Sequence, residues 1–231
     1  MLLTIDTSTR YAGVLLWDQG TPLASQSWRS GRNHTVELTP AIQHVLKVAG
    51  VTLQELEGIA VALGPGGFSA LRVGLSAAKG FALALDLPLF GVTTLEAEAF
   101  PYGSLLRPVC PLLGVGRGEV AWAVFETLTD GWQMVKQPEI ISPEELPGLA
   151  PPNAVFCGEG MAEDRESLPD MLAEGQVAAA YAGPSLRLWA LAALGAERLA
   201  TGDADDAATL QPFYLRRPSI STPNPPRKVK I

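Results

Sequence analysis

Histidine and cysteine are scarce, with two of each in 231 residues. His34 and His44 stand on neither the i,i+3 nor the i,i+4 spacing that puts two metal ligands on one helix face, so no zinc or iron site is expected. Cys110 and Cys157 lie far apart in strand-like surroundings and read as buried thiols in a reducing compartment. Charge is sparse too, at 18% of residues against 47% hydrophobic, which excludes a disordered chain and leaves ample material for a core. No apolar run approaches the ~18 residues of a membrane span, and Asp6 interrupts the amino terminus before a signal-peptide core can form. The expected protein is cytoplasmic, with no membrane partner. Catalytic signatures are missing as well: there is no G-x-S-x-G elbow, and neither cysteine has a histidine nearby in sequence.

The net charge of −7 hides an asymmetry. Residues 216–231 carry Arg216, Arg217, Arg227, Lys228, Lys230 and four prolines but no acid, so removing this +5 leaves −12 on the rest (−7 − 5). An acidic body argues against nucleic-acid binding by the folded part. The basic, Pro-rich tail is expected to be extended and disordered, and to be the part that touches nucleic acid if any part does.

What is present reads as strands and helices in a definite order. "LLTID" is apolar enough for a buried strand, and "YAGVLLW", the turn "DQG" and "PLASQSW" signal a hairpin. A helix is expected over 35–49, with Leu38, Ile42, Val45, Leu46 and Ala49 on one face and Gly50 closing it. "TLQE" is a capping box, "GIAVAL" a buried strand, "GPGG" a turn, 68–86 a long helix and "LPLFGV" another strand. The order βββαβαβ predicts a mixed sheet with helical cover. A similar rhythm restarts after Pro101, with strands at "PVCPLLGV", "EVAWAVFE", "WQMVKQPEII" and "NAVFCGE" and a covering helix over 184–200. The expected organisation is therefore a first lobe of 1–100, a second, more divergent lobe of 101–215, and the tail 216–231.

Two turns and one helix carry the functional question. Asp6-Thr7-Ser8 at the end of the first strand can hold Mg²⁺ and offer N–H and O–H groups to phosphate, or form an ordinary Asx/ST turn, which turn statistics favour. Gly64-Pro65-Gly66-Gly67 is followed by Phe68-Ser69 where a P-loop needs Lys-Ser/Thr, so it is a poor phosphate cradle, although free N–H groups at a helix start can attract an anion. In the helix after it, Phe68, Leu71, Leu75, Ala78, Ala82 and Leu85 form one apolar seam, and Ala70, Gly74, Ala77, Phe81 and Ala84 a second, smaller one. Two apolar faces mean burial on two sides. The second seam meets either the other lobe or another protein.

The stretches "IDTST", "HTVELTP", "GVTLQELEGIAVALGPGGFSALRVGLSAAKGFALALDLPLFGVTTLEA" and "QPFYLRR" resemble the TsaB (YeaZ-type) family, densely over residues 1–97 and sparsely beyond. The resemblance implies an α/β fold of two lobes, actin-like and hexokinase-like (the ASKHA ATPase fold). It implies a non-catalytic partner that pairs with and activates TsaD, which transfers threonylcarbamoyl to the adenosine beside the anticodon of ANN-reading tRNAs. The small ATPase TsaE joins the pair, tRNA is met through the complex, and a homodimer is expected when the chain is alone. Neither a catalytic residue nor a metal ligand is implied for this chain, and ATP or ADP is expected only at the level of the complex. Pairing through the two first-lobe helices would put Leu38, Ile42, Val45, Leu71, Gly74, Leu75 and Ala78 at the partner interface. Asp6, Thr7, Ser8, Gly64, Gly66 and Gly67 remain nucleotide-site or turn-forming candidates. The chain departs from the family pattern at Gly67 and Ala70, and at Gly114, where an acid is common in the second lobe. A kinase or ATPase of the same fold needs an acid in both lobes. That is one alternative; a metallopeptidase, disfavoured for want of ligand histidines, is the other.

Overall fold

The computed structural model describes residues 1–31, 33–163, 172–181 and 183–216. The expectations for the tail beyond Arg216 lie outside these described residues. β1 (Leu2–Asp6) is antiparallel to β2 (Tyr11–Asp18), which is antiparallel to β3 (Thr21–Arg29). On its other side β1 runs parallel to β4 (Gly58–Gly64), and β4 parallel to β5 (Leu89–Thr93), giving the order β3-β2-β1-β4-β5. The β2–β3 turn puts Gln19 and Gly20 at φ of 45° and 84°, the pair of positive values that a two-residue hairpin loop of this twist requires. α1 (His34–Ala49) and α2 (Phe68–Leu85) carry the chain into β4 and β5, as parallel pairing demands.

After α3 (Thr94–Ala99) the same topology is repeated. β6 (Val109–Gly116), β7 (Glu119–Leu128), β8 (Gly131–Ile141), β9 (Val155–Cys157) and β10 (Val177–Ala178) stand in the order β10-β9-β6-β7-β8, with the antiparallel and parallel pairs in matching places. Among the described residues the helices here are short, α4 (Leu146–Leu149) and α5 (Gly160–Glu163) each spanning four residues.

The last long helix, α6 (Pro184–Thr201), does not cap the second sheet, to which the order of elements assigns it. It lies across β1, β2, β4 and β5 of the first. Alternation along β1 shows why: Leu3 and Ile5 face α1 and α2, while Leu2 faces Leu188 and Ala192 on α6. β1 is buried along its whole length because both faces of its sheet are covered. α3 packs between α6 and β6, so α3 and α6 are the layer between the two sheets. With a mean hydropathy of 1.3 over 18 residues, α2 is by length and composition apolar enough to cross a membrane, although Ser69, Arg72, Ser76 and Lys79 interrupt its apolar residues. Here it rests on β4 and carries Arg72 and Lys79.

Candidate functional site

The end of β1 holds Asp6, Thr7 and Ser8, all buried to within 2%. Ser8 donates both its backbone N–H (2.8 Å) and its Oγ (2.7 Å) to Asp6 Oδ1, which is an Asx/ST turn. Thr7 Oγ1 donates to the carbonyl of Ala70 at 2.7 Å, tying the turn to the first turn of α2. The glycine turn comes close from the other side. Gly67 N donates to Ser8 O at 2.8 Å, and a Cβ on Gly66 would overlap that same carbonyl. Gly64 sits at φ 107°, a conformation that glycine adopts without strain, and its peptide to Pro65 is cis. The turn "GPGG" therefore brings backbone against the chain's own Ser8.

Asp6 Oδ2 accepts from Arg187 Nε at 2.7 Å. Arg187, on α6, is 1% exposed. It also donates through Nη1 to Glu98 (2.7 Å) and Glu159 (3.0 Å), and through Nη2 to Thr9 Oγ1 (3.0 Å) and the carbonyl of Tyr11 (3.1 Å). Burial disfavours charge on the guanidinium, yet Asp6, Glu98 and Glu159 together hold its pKa well above that of ordinary arginine. Burial pushes the Glu98 carboxyl upward against the pull of Arg187. Nearby, the Tyr181 hydroxyl is buried without a partner, and its pKa is raised by burial and by Glu98.

Between the sheets lies a cleft of about 740 Å³. Ser8, Arg10, Gly66 and Phe68 line one side, Gly114 and Glu159 the other, and Phe213 to Arg216 its mouth. Of the residues assigned from sequence to a nucleotide site, Ser8, Gly66 and Gly67 line this cleft; Asp6, Thr7 and Gly64 stand behind it. His34 also lines it, with its Nδ1 buried and unpartnered and its pKa lowered by burial. Burial raises both thiols, that of Cys110 to about 12, which disfavours the thiolate form. Among the described residues no group of three His, Cys, Asp or Glu side chains is close enough to hold a metal ion.

The residues assigned to a partner interface fall elsewhere. Leu38, Ile42, Val45, Leu71, Leu75 and Ala78 are each at most 4% exposed, and Gly74 is buried with them. They are the protein's own core, because α1 and α2 turn these faces to the sheet. A Cβ on Gly74 would overlap Thr7 Oγ1, so its close approach is to the chain's own turn after β1. What the two helices leave open is the opposite side. Thr35, Thr39, Arg72, Val73, Ser76 and Ala77 line a shallow groove of about 390 Å³ between them, and of the residues assigned to the interface Leu38 lines it too.

Arg187 escaped sequence reasoning, since one of two arginines in an apolar helix carries no spacing signal, and Glu98, which by sequence reads as a solvated charge, is buried at 5% exposure. The strap 203–216 was legible only as a motif. Asp205 takes hydrogen bonds from Gly91 N (2.7 Å) and Arg198 (2.9 Å), Phe213 N donates to Leu63 O (2.8 Å), and the Tyr214 ring lies 4.9 Å from that of Phe68. Arg216 then pairs with Glu119 of β7 at 2.7 Å, so the strap begins on the first sheet and ends on the second.

Residues 28–204 match the family model described as TsaD, tRNA N6-adenosine threonylcarbamoyltransferase. The protein named tRNA threonylcarbamoyladenosine biosynthesis protein TsaB of Escherichia coli (strain K12) is 33% identical over 147 residues, 62% of this chain and 63% of that protein, so the match spans just under two thirds of that relative. Its namesake in Bacillus subtilis (strain 168) is 28% identical over 93% of each chain. Among solved structures, YeaZ from Pseudomonas aeruginosa superimposes with a TM-score of 0.77 at 25% identity, over 93% of this chain and 99% of its own. A ROK hexokinase from Thermus thermophilus shares the fold alone, with a TM-score of 0.50 at 12% identity over 84% of this chain and 97% of its own.

Proposed function

This chain belongs to the TsaB (YeaZ-type) family, and from that membership we propose that it is a non-catalytic partner in making threonylcarbamoyladenosine in tRNA. It pairs with and activates the transferase TsaD, with TsaE joining and tRNA met through the complex, in the cytoplasm; alone it forms a homodimer. The observation that carries the reading is the state of Asp6. Holding Mg²⁺ for phosphate chemistry requires free carboxylate oxygens, and here one oxygen is taken by Ser8 and the other by the charged Arg187. Opposite it, Gly114 supplies no side chain at all. Asp6 and Glu159, the second-sheet acid that lines the cleft, are both engaged by Arg187, which speaks against the kinase or ATPase alternative.

For pairing, the outer groove of α1 and α2 offers what a helix partner needs. Its lining of Thr35, Leu38, Thr39, Val73, Ser76 and Ala77 is uncharged and partly apolar, with Arg72 the one cation among them. Ser76→Arg places a bulky charge there without touching the core. With TsaD, TsaE, ATP, threonylcarbamoyl donor and tRNA reconstituted, this variant is expected to melt like the parent, to lose TsaD pull-down, and to lose threonylcarbamoyl transfer by tenfold or more, about 1.4 kcal/mol of pairing free energy or greater. Retained pull-down would remove the groove from the interface. ATP turnover by the pure chain that Asp6→Ala abolishes would overturn the non-catalytic reading.

A further inference from the structure

A guanidinium carries five N–H groups in one plane, and at Arg187 every one has an acceptor: Asp6 on Nε, Glu98 and Glu159 on Nη1, Thr9 and Tyr11 on Nη2. The acceptors come from separate parts of the molecule. Asp6 ends β1, Thr9 and Tyr11 bracket the turn into β2, Glu98 is on the middle helix α3, and Glu159 lies between β9 and α5 of the second sheet. Glu159 also turns its other oxygen toward Arg10 Nε, 3.8 Å away on the first hairpin turn. No three acids here are near enough together to ligate an ion. The space they enclose is fitted to a flat fork and not to a sphere.

We propose that Arg187 is a built-in clamp that joins the two lobes and holds the cleft at one opening without any ligand. A cleft of this kind, walled by two sheets, can open only if the Glu159 side parts from the Asp6 and Thr9 side. That parting strips acceptors from a guanidinium buried to 1% exposure, which is costly for a charge kept from water. The clamp therefore makes the protein a single rigid body.

The test is hydrogen exchange on the full chain, followed at residues 9–11 and 158–161, with β1 and β4 as internal references. Glu159→Gln removes the charge the second lobe contributes and leaves the first-lobe contacts of Arg187 in place. It is expected to speed exchange in both segments by roughly tenfold while β1 and β4 stay protected. Arg187→Ala is expected to do more, and millimolar methylguanidinium is expected to restore protection where the same concentration of Mg²⁺ or Mn²⁺ does not. Should Arg187→Ala fail to fold, Glu159→Gln decides alone. Unchanged exchange in both segments of Glu159→Gln would overturn the clamp, as would rescue of Arg187→Ala by the divalent ions.

Discussion

Gly74 shows how much a single hydrogen atom in place of a side chain can carry. From spacing alone, small residues at 70, 74 and 77 fit a helix–helix contact with another protein. The neighbour is instead Thr7, whose Oγ1 occupies the space a Cβ would need and is held there by its bond to Ala70 O at 2.7 Å. Gly74→Leu is therefore expected to destabilise the protomer by ~1–3 kcal/mol or more through overpacking, seen as a lower melting temperature. An unchanged melting temperature would return Gly74 to the surface. Glu98 offers a second test at this scale. Burial raises its pKa in the folded state, so the stability linked to it is fully present below the unfolded value and is lost as pH rises through the folded one. Its surroundings are Arg187, Asp6, Glu159 and Tyr181, with the Sγ of Cys157 3.5 Å from its carbonyl oxygen. Glu98→Gln keeps an acceptor for Arg187 and removes the titration. The melting temperature of the variant relative to the parent is expected to climb as pH increases from about 4.5 toward 8. A difference that is flat with pH would show that Glu98 is ionised throughout. Glu96, also raised by burial, leaves a residual slope of the same sign in both proteins.

Elements were legible where their own residues determine them. β1 to β5, α1 and α2 follow from apolar spacing and from punctuation such as Gly50, which caps α1 at φ 70°. The capping box at Thr52 and Glu55 forms as read, with Glu55 accepting from the Thr52 N–H at 2.8 Å. Facing directions were harder to read. An amphipathic helix announces that it has a buried side but not which layer buries it, and two seams on α2 do not say which is the sheet's. The same ambiguity misdirected α6. Its Leu188, Leu191 and Ala192 would fit either sheet, and only the burial of both faces of β1 assigns it to the first. The site was half visible for a related reason: Asp6 and Ser8 are adjacent in sequence, whereas Arg187, Glu98 and Glu159 meet them only through tertiary packing.

At the scale of the whole molecule, the buried arginine and the strap of 203–216 join the lobes along with the packing of α3 and α6. The strap is the peripheral one, and its removal is expected to be tolerated in part. Ending the chain after Gly202 discards the Asp205 bonds, the Phe213–Leu63 bond and the Tyr214–Phe68 ring contact. A truncation there should lower the melting temperature and widen the mouth of the cleft, while ending after Arg216 should leave melting unchanged; equal melting for the two would make the strap a passive cover. The placement of α6 has a consequence for synthesis. β1 leaves the ribosome well before α6, with the whole second sheet made between them, yet Leu2 and Leu188 share one apolar cluster. A nascent chain that has completed all five strands of its first sheet still shows one oily face of that sheet to the surroundings. It keeps showing it while the entire second sheet is made, a long exposure for a surface that attracts chaperones and other unfinished chains.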